Sequence, residues 1–163
     1  MARSRAGERG QVAVYAVLLF PLLMLVLSLV LALGTIEALR ARIRAQLDMA
    51  ALTATQALDF DALARGGTPR LVASTADALA REYLARNLAA LGGQLGSSPD
   101  DIARSAEIVV SNAPGTDPIT GAPDTAPTVS IRIRVPARIP LLGLAGLTPT
   151  IELTLTGSAA ARS

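Results

Sequence analysis

The stretch of sequence that most constrains the fold is an uncharged run at residues 12–36, VAVYAVLLFPLLMLVLSLVLALGTI. As a helix rising about 1.5 Å per residue, this run is roughly 37 Å long, which exceeds the ~30 Å hydrocarbon core of a bilayer. The apolar region of a cleavable secretion signal is shorter, at about 7–15 residues. The run therefore predicts a permanent membrane-spanning helix, and a signal cleaved near Ala32-Leu33-Gly34 is the weaker alternative.

The sequence after the span predicts that the helix continues. Residues 37–64 contain no Gly or Pro, and Gly66-Gly67-Thr68-Pro69 ends the segment. Apolar residues recur at steps of three or four, which forms one stripe on a helix. The stripe consists of Ile36, Leu39, Ile43, Leu47, Ala50, Ala54 and Leu58. We expect a cytoplasmic leader or tail at residues 1–10, a membrane helix at 11–36 and its amphipathic continuation at 37–64.

Charge does not orient the span, because three arginines precede it and three follow it closely, and the positive-inside rule counts such residues. The larger folded part follows the span. We therefore expect a single-pass protein of the bacterial cytoplasmic membrane, with its N-terminus in the cytoplasm and residues 68–163 as an extracytoplasmic domain.

The domain after the span is predicted to have an α+β fold. Thr68 followed by Pro69 is typical of a helix start, and Gly92-Gly93 is typical of its end. Ser98 followed by Asp101 predicts a further capped turn. The pattern then changes to apolar residues at 108–110 and to alternation at 129–135 and 151–155. We expect a long N-terminal helix, a second helix and a small antiparallel sheet of about three strands, with Arg132 or Arg134 facing Glu152.

Composition argues against several classes of function. The chain has no Cys and no His, so thiolate and imidazole metal sites and Ser-His-Asp catalysis are excluded. It has no Trp and few other aromatic residues, and its net charge is only +2, so a nucleic-acid partner is not expected. No phosphate-binding Gly motif occurs. We expect neither catalysis nor a cofactor.

Two connections lie between the predicted strands. Residues 112–127 form a turn-rich loop in which Asp117 and Asp124 are candidate Ca²⁺ ligands, but their spacing matches no EF-hand, and an exposed hairpin loop is the favoured interpretation. Residues 139–147 are apolar and too short to span a bilayer. They either close the core or contact a neighbouring subunit or a membrane surface. The candidate contact residues are Leu141, Leu142, Leu144 and Leu147.

Two motifs in roughly the first third of the chain resemble one known family. The first is Arg9-Gly10-Gln11-Val12-Ala13-Val14, followed by Pro21. The second is Gln46-Leu47-Asp48-Met49-Ala50-Ala51-Leu52. Together they resemble the TadE/TadG-like proteins, pilin-like subunits of the tight adherence (Flp pilus) system. The resemblance implies a pilin-like α+β fold and a structural subunit of a pilus or related secretion system. Its implied partners are other pilin-like subunits (identical or different), a Tad-type assembly platform and a prepilin peptidase.

The same resemblance assigns roles to particular residues. A prepilin peptidase would cut between Gly10 and Gln11; otherwise Gly10 is a small residue at the membrane edge. The family's usual Glu would then fall at Tyr15, and its absence favours a minor or assembly component over the bulk pilin. Pro21 is either a tolerated kink or a bend that helps the helix enter a filament. Tyr15, Pro21, Gln46, Leu47 and Asp48 are thus the expected helix-packing residues. The alternative function is a stand-alone, membrane-anchored binding domain that never enters a filament.

Overall fold

The computed structural model describes residues 6–138 and 150–161 of the 163-residue chain, without the side chains of residues 6–13 and 16. The chain divides into two compact units, Met1–Glu37 and Ala38–Ser163. Helix α1, Ala6–Ala54, contributes to both units. The expectation of a long apolar N-terminal helix is therefore confirmed.

The first unit is helical throughout its described part. Pro21 lies inside α1 without ending it, although a proline removes one backbone hydrogen bond from a helix. The hydroxyl of Ser28 donates to the carbonyl of Met24 at 2.8 Å, and that of Thr35 donates to Ala32 at 2.8 Å. Both polar side chains are therefore satisfied by the helix itself, as a helix in an apolar environment requires.

The second unit is built on the apolar stripe of α1. Leu39 is 5% exposed, and Ile43, Leu47, Ala50 and Ala54 are fully buried. The predicted stripe is confirmed over this stretch, but the predicted end of the helix is wrong. The helix ends at Ala54 rather than near residue 64, because the backbone of Leu58 pairs with that of Leu71 and draws the chain away from the helix axis.

Three shorter α-helices follow within the described residues. They are α2 at Phe60–Ala64, α3 at Ala73–Ala89 and α4 at Pro99–Ser105, with a 3-10 turn at Gly92–Gln94 before α4. The predicted start at Thr68 and Pro69 is wrong: α3 begins four residues after Pro69, with Val72 as its N-cap. The chain is still extended at this point, because Val72 N–H donates to Ala57 O at 2.8 Å. The predicted Ser98 cap is confirmed, since its hydroxyl accepts from Asp101 N–H at 3.1 Å.

The described strands form an antiparallel sheet in the order β1-β4-β5. Its strands are β1 at Glu107–Ser111, β4 at Thr128–Arg138 and β5 at Thr150–Ala160. A two-stranded hairpin, β2 at Gly115–Thr116 and β3 at Pro123–Asp124, lies between β1 and β4 in sequence. The predicted three-stranded sheet is confirmed. The predicted pairing with Glu152 is wrong, because Arg132 Nη1 bonds to Glu107 Oε2 on β1 at 2.9 Å and Pro136 stands opposite Glu152.

The core of the second unit lies between one face of the sheet and the helices. Alternate β4 residues, namely Val129, Ile131, Ile133 and Val135, are at most 1% exposed. Helix α3 contributes Ala76, Ala80, Leu84 and Leu88, all fully buried. Arg81 also links α3 to α4, donating from Nη1 to the carbonyls of Ala103, Arg104 and Ala106 at 2.9, 3.0 and 3.1 Å. These contacts place the positive guanidinium of Arg81 at the C-terminal end of α4, where it bonds to carbonyl groups and complements the helix dipole.

Candidate functional site

The N-terminal part of α1 presents an apolar surface to its surroundings. The large apolar side chains among residues 14–33, Tyr15 included, have exposed fractions from 39% at Met24 to 71% at Val17. Contiguous apolar surface of this extent is typical of contact with lipid or with another protein. Within the described part of the chain, α1 alone has the length and composition to cross a membrane. A signal sequence meets the same criteria, so processing of the N-terminus is the decisive observable.

The residues assigned to processing and to the membrane helix all lie on α1. Gly10 and Gln11 belong to its helical backbone, which begins at Ala6. Tyr15 is 59% exposed, and Pro21 is exposed within the helix. The structure therefore places the expected processing and packing residues on one continuous element, but it brings none of them to a chemical centre.

The second motif has a packing role inside the second unit. Leu47 is fully buried, Gln46 is half-buried and Asp48 is exposed. Directly against this turn of α1 lies Gly157 of β5. A Cβ atom at Gly157 would stand 2.8 Å from Leu47 Cβ and 2.8 Å from Asp48 Oδ1. Sequence reasoning did not identify Gly157, although a glycine inside an alternating strand is itself a sign of close backbone approach.

A groove lies beside this contact, between the end of α1 and the end of β5. Its volume is about 900 Å³. The lining residues from α1 and the following turn include Asp48, Leu52, Gln56 and Leu58, and residues 158–161 form the opposite wall. Leu52 is 51% exposed. The groove thus combines apolar walls with one carboxylate, and no ion-pair partner of Asp48 is found among the described residues.

The buried carboxylate of Asp117 forms the other polar cluster in the second unit. Asp117 is 2% exposed and accepts hydrogen bonds from the hydroxyls of Thr120 and Ser130 and, at 2.8 Å, from Ile119 N–H. Burial alone would raise the pKa of Asp117, but these bonds together outweigh burial and hold the pKa below its ordinary value. The cluster ties the hairpin to β4.

The Asp117 cluster does not form a cation site with Asp124. Asp124 pairs instead with Gly115 in the β2–β3 hairpin. Over residues 6–138 and 150–161, no group of three or more acidic side chains is placed to hold a metal ion. The favoured interpretation of residues 112–127 as a hairpin loop is confirmed, but Asp117 is buried rather than exposed. Asp117 begins the sequence Asp-Pro-Ile-Thr-Gly, which is typical of a turn, and Gly121 at its end has φ +72°. This turn pattern is the sequence signal that could have identified Asp117.

Four candidate contact residues lie outside the described residues, namely Leu141, Leu142, Leu144 and Leu147.

No family model, curated protein or solved structure matches this chain.

Proposed function

We propose that the chain is a single-pass membrane protein that acts as a structural subunit of a Tad-type pilus or a related secretion system, in the role of a minor pilin. The observation that carries the proposal is the composition of α1. The large apolar side chains from Val14 to Leu33 are exposed, whereas the stripe from Leu39 to Ala54 is buried in the second unit. One helix therefore serves both as a surface for lipid or like helices and as the spine of a folded domain.

The chemistry of such a subunit is burial rather than catalysis. Each large apolar side chain removed from water contributes about 1.5–3 kcal/mol. A row of such side chains is therefore sufficient to hold the helix in a bilayer or in a bundle of like helices. Tyr15 replaces the Glu that pilins of this type use to pair with a neighbour's amino terminus. Recruitment of this subunit accordingly relies on apolar packing and on contacts of the folded domain, as expected for a minor component.

This role implies a particular membrane topology and particular partners. The N-terminus lies in the cytoplasm, where a prepilin peptidase would cut after Gly10, and the α+β domain lies outside the cytoplasmic membrane. The partners are identical or related pilin-like subunits and the platform proteins that assemble them.

The experiment is N-terminal sequencing and intact mass of the protein recovered from its native membrane and from sheared surface material. We expect a mature chain that begins at Gln11 in the sheared fraction. Gly10→Val should abolish this species, because the residue before the cut must be small. Gly7→Val is the matched control and should leave the cut in place.

Two other outcomes contradict the proposal. A full-length chain confined to the membrane would favour the stand-alone anchored binding domain. A soluble chain that begins after Ala32 would show that the apolar run is a secretion signal.

A further inference from the structure

Residues 58–71 form a closed loop whose base is fixed by backbone hydrogen bonds. Leu58 pairs with Leu71 across the base. Asp59 N–H donates to Arg70 O at 2.8 Å. The side chain of Asn112 then clamps Leu71: its Oδ1 accepts from Leu71 N–H at 2.7 Å and its Nδ2 donates to Leu71 O at 3.0 Å. The two ends of the loop are thus held together by both local and distant residues.

The tip of this loop is equally well specified. Asp59 caps α2, its Oδ1 accepting from Ala62 N–H at 2.9 Å. Gly66 ends the turn with φ +76°, a conformation that side chains other than glycine rarely adopt. At Gly67 a Cβ would lie 2.9 Å from Ala62 O. The sequence therefore fixes the geometry of the loop, although α2 buries none of its own residues.

This ordered loop presents two large apolar side chains to its surroundings. Phe60 is 68% exposed and Leu63 is 41% exposed, one helical turn apart on α2. Fixing backbone costs about 1–2 kcal/mol per residue in conformational entropy, and a folding core normally offsets this cost by burying such side chains. Rigid, exposed aromatic and aliphatic anchors are instead characteristic of binding surfaces, because a preorganised anchor loses little entropy on binding. We call Phe60 and Leu63 the apolar knob.

The groove beside β5 has the complementary properties. Its volume of about 900 Å³ falls within the ~300–1,000 Å³ of typical binding pockets, and Leu52 and Leu58 give it apolar walls. The charges also match. Asp48 lines the groove, and Arg65 and Arg70 are exposed on the loop that carries the knob; within the described part of the chain none of the three forms an ion pair.

We propose that the knob of one copy docks into the groove of a second copy of this chain. Leu58 lines the groove and also forms the base of the loop, so both features belong to one continuous surface. A surface that carries a protrusion beside a groove can contact the same surface of a second copy, the protrusion of one copy entering the groove of the other. Docking places Arg65 or Arg70 of one copy opposite Asp48 of the other. The identity of the partner rests on the assembly role proposed above.

The absence of native cysteine makes disulfide cross-linking a direct test in the full chain. A tagged copy with Phe60→Cys is co-expressed in membranes with a differently tagged copy carrying Ser158→Cys in the groove wall. The control replaces Ser158→Cys by Arg104→Cys, since both positions are exposed. We expect at least about tenfold more mixed dimer with Ser158→Cys than with the control, the factor that a hot-spot contact changes in association.

A second pair of variants tests the knob itself. Leu63→Ala in the Phe60→Cys copy should lower the yield of mixed dimer several-fold, because Leu63 is the knob side chain that remains after Phe60 is replaced. Asp61→Ala replaces a polar residue on the same exposed helix and should leave the yield of mixed dimer unchanged.

Several outcomes would overturn the inference. Equal yields with Ser158→Cys and Arg104→Cys would mean that the copies meet only through their anchors. No dimer with either pair, or capture of a different protein by Phe60→Cys, would remove the second copy as the occupant. The assembly role is judged separately, by the Gln11 terminus in sheared material, so the two failures are distinguishable.

Discussion

Replacing Gly157 with Ala tests whether β5 and α1 touch as closely as the fold requires. The new Cβ would lie 2.8 Å from Leu47 Cβ and 3.2 Å from Asp48 N. Neither atom can move by changing a rotamer, because one is fixed to the backbone and the other belongs to it. The helix or the strand must therefore shift to restore normal contact distances.

The expected loss of stability follows from two opposing effects. Overpacking of a core contact costs about 1–3 kcal/mol, whereas Gly→Ala restricts the unfolded chain and contributes about 0.4–1 kcal/mol in the other direction. Subtracting the second range from the first leaves a loss of roughly 0–2.6 kcal/mol in the free energy of unfolding, with a midpoint of about 1.3 kcal/mol. At about 2–4 °C per kcal/mol for a chain of this size, the midpoint corresponds to a fall in Tm of about 3–5 °C.

The measurement is calorimetric unfolding of the full chain in a mild detergent. Gly93→Ala is the matched control, because a Cβ there has no neighbour within 4 Å, and its Tm should be unchanged or slightly raised. A Gly157→Ala protein that unfolds at or above the wild-type temperature would refute the close packing of Leu47 and Asp48 on β5.

Three further predictions concern other parts of the chain. Asp117→Asn should lower the free energy of unfolding by about 1–3 kcal/mol at pH 7. The folded-state pKa of Asp117 is lowered, so the stability that its carboxylate contributes is present above the unfolded pKa of about 3.9. This stability is lost as pH falls through the folded-state pKa. Equilibrium unfolding at pH 7 and pH 3 should therefore show less acid sensitivity in the variant, and an unchanged difference would contradict this. Arg81→Met should cost about 1 kcal/mol in the same assay, because a partly exposed cation loses three carbonyl partners. Arg104→Met removes an exposed ion pair with Asp101 and should cost less than about 0.5 kcal/mol; equal losses would remove the capping role of Arg81. Replacing Leu22, Val26 and Leu29 together by Arg should release the chain from alkaline-washed membranes, because each Arg costs about 2.5–3.5 kcal/mol in insertion free energy within the span. Retention of this variant would contradict bilayer insertion.

Local patterns correctly predicted several elements. The stripe from Leu39 to Ala54, the alternation in β4 and the Ser98 cap each depend on residues within a few positions of one another. Because the physical cause is local, the sequence reveals it. The same holds for the turn at Gly66-Gly67, where the chain must reverse after α2.

Long-range contacts explain the failures. The sequence has no Gly or Pro that would end α1 before residue 64. The helix ends earlier because Leu58 pairs with Leu71. Thr68 and Pro69 look like a helix start, but the clamp of Asn112 on Leu71 keeps the chain extended until Val72. Arg132 bonds to Glu107 rather than Glu152 because β1 neighbours the first half of β4. Each outcome depends on residues far apart in sequence, which periodicity cannot bring together.

The motif Gln46-Leu47-Asp48 illustrates how packing and assembly divide between neighbouring residues. The resemblance assigned all three to helix packing and assembly, and Leu47 is fully buried and lies against Gly157 within the same chain. Its side chain is therefore required for the fold and is not available to a partner. Asp48 is exposed at the groove and carries a charge that no described residue of its own chain pairs. If the chain assembles as proposed, specificity in this motif comes from Asp48, and Leu47 contributes by holding α1 in the position that presents it.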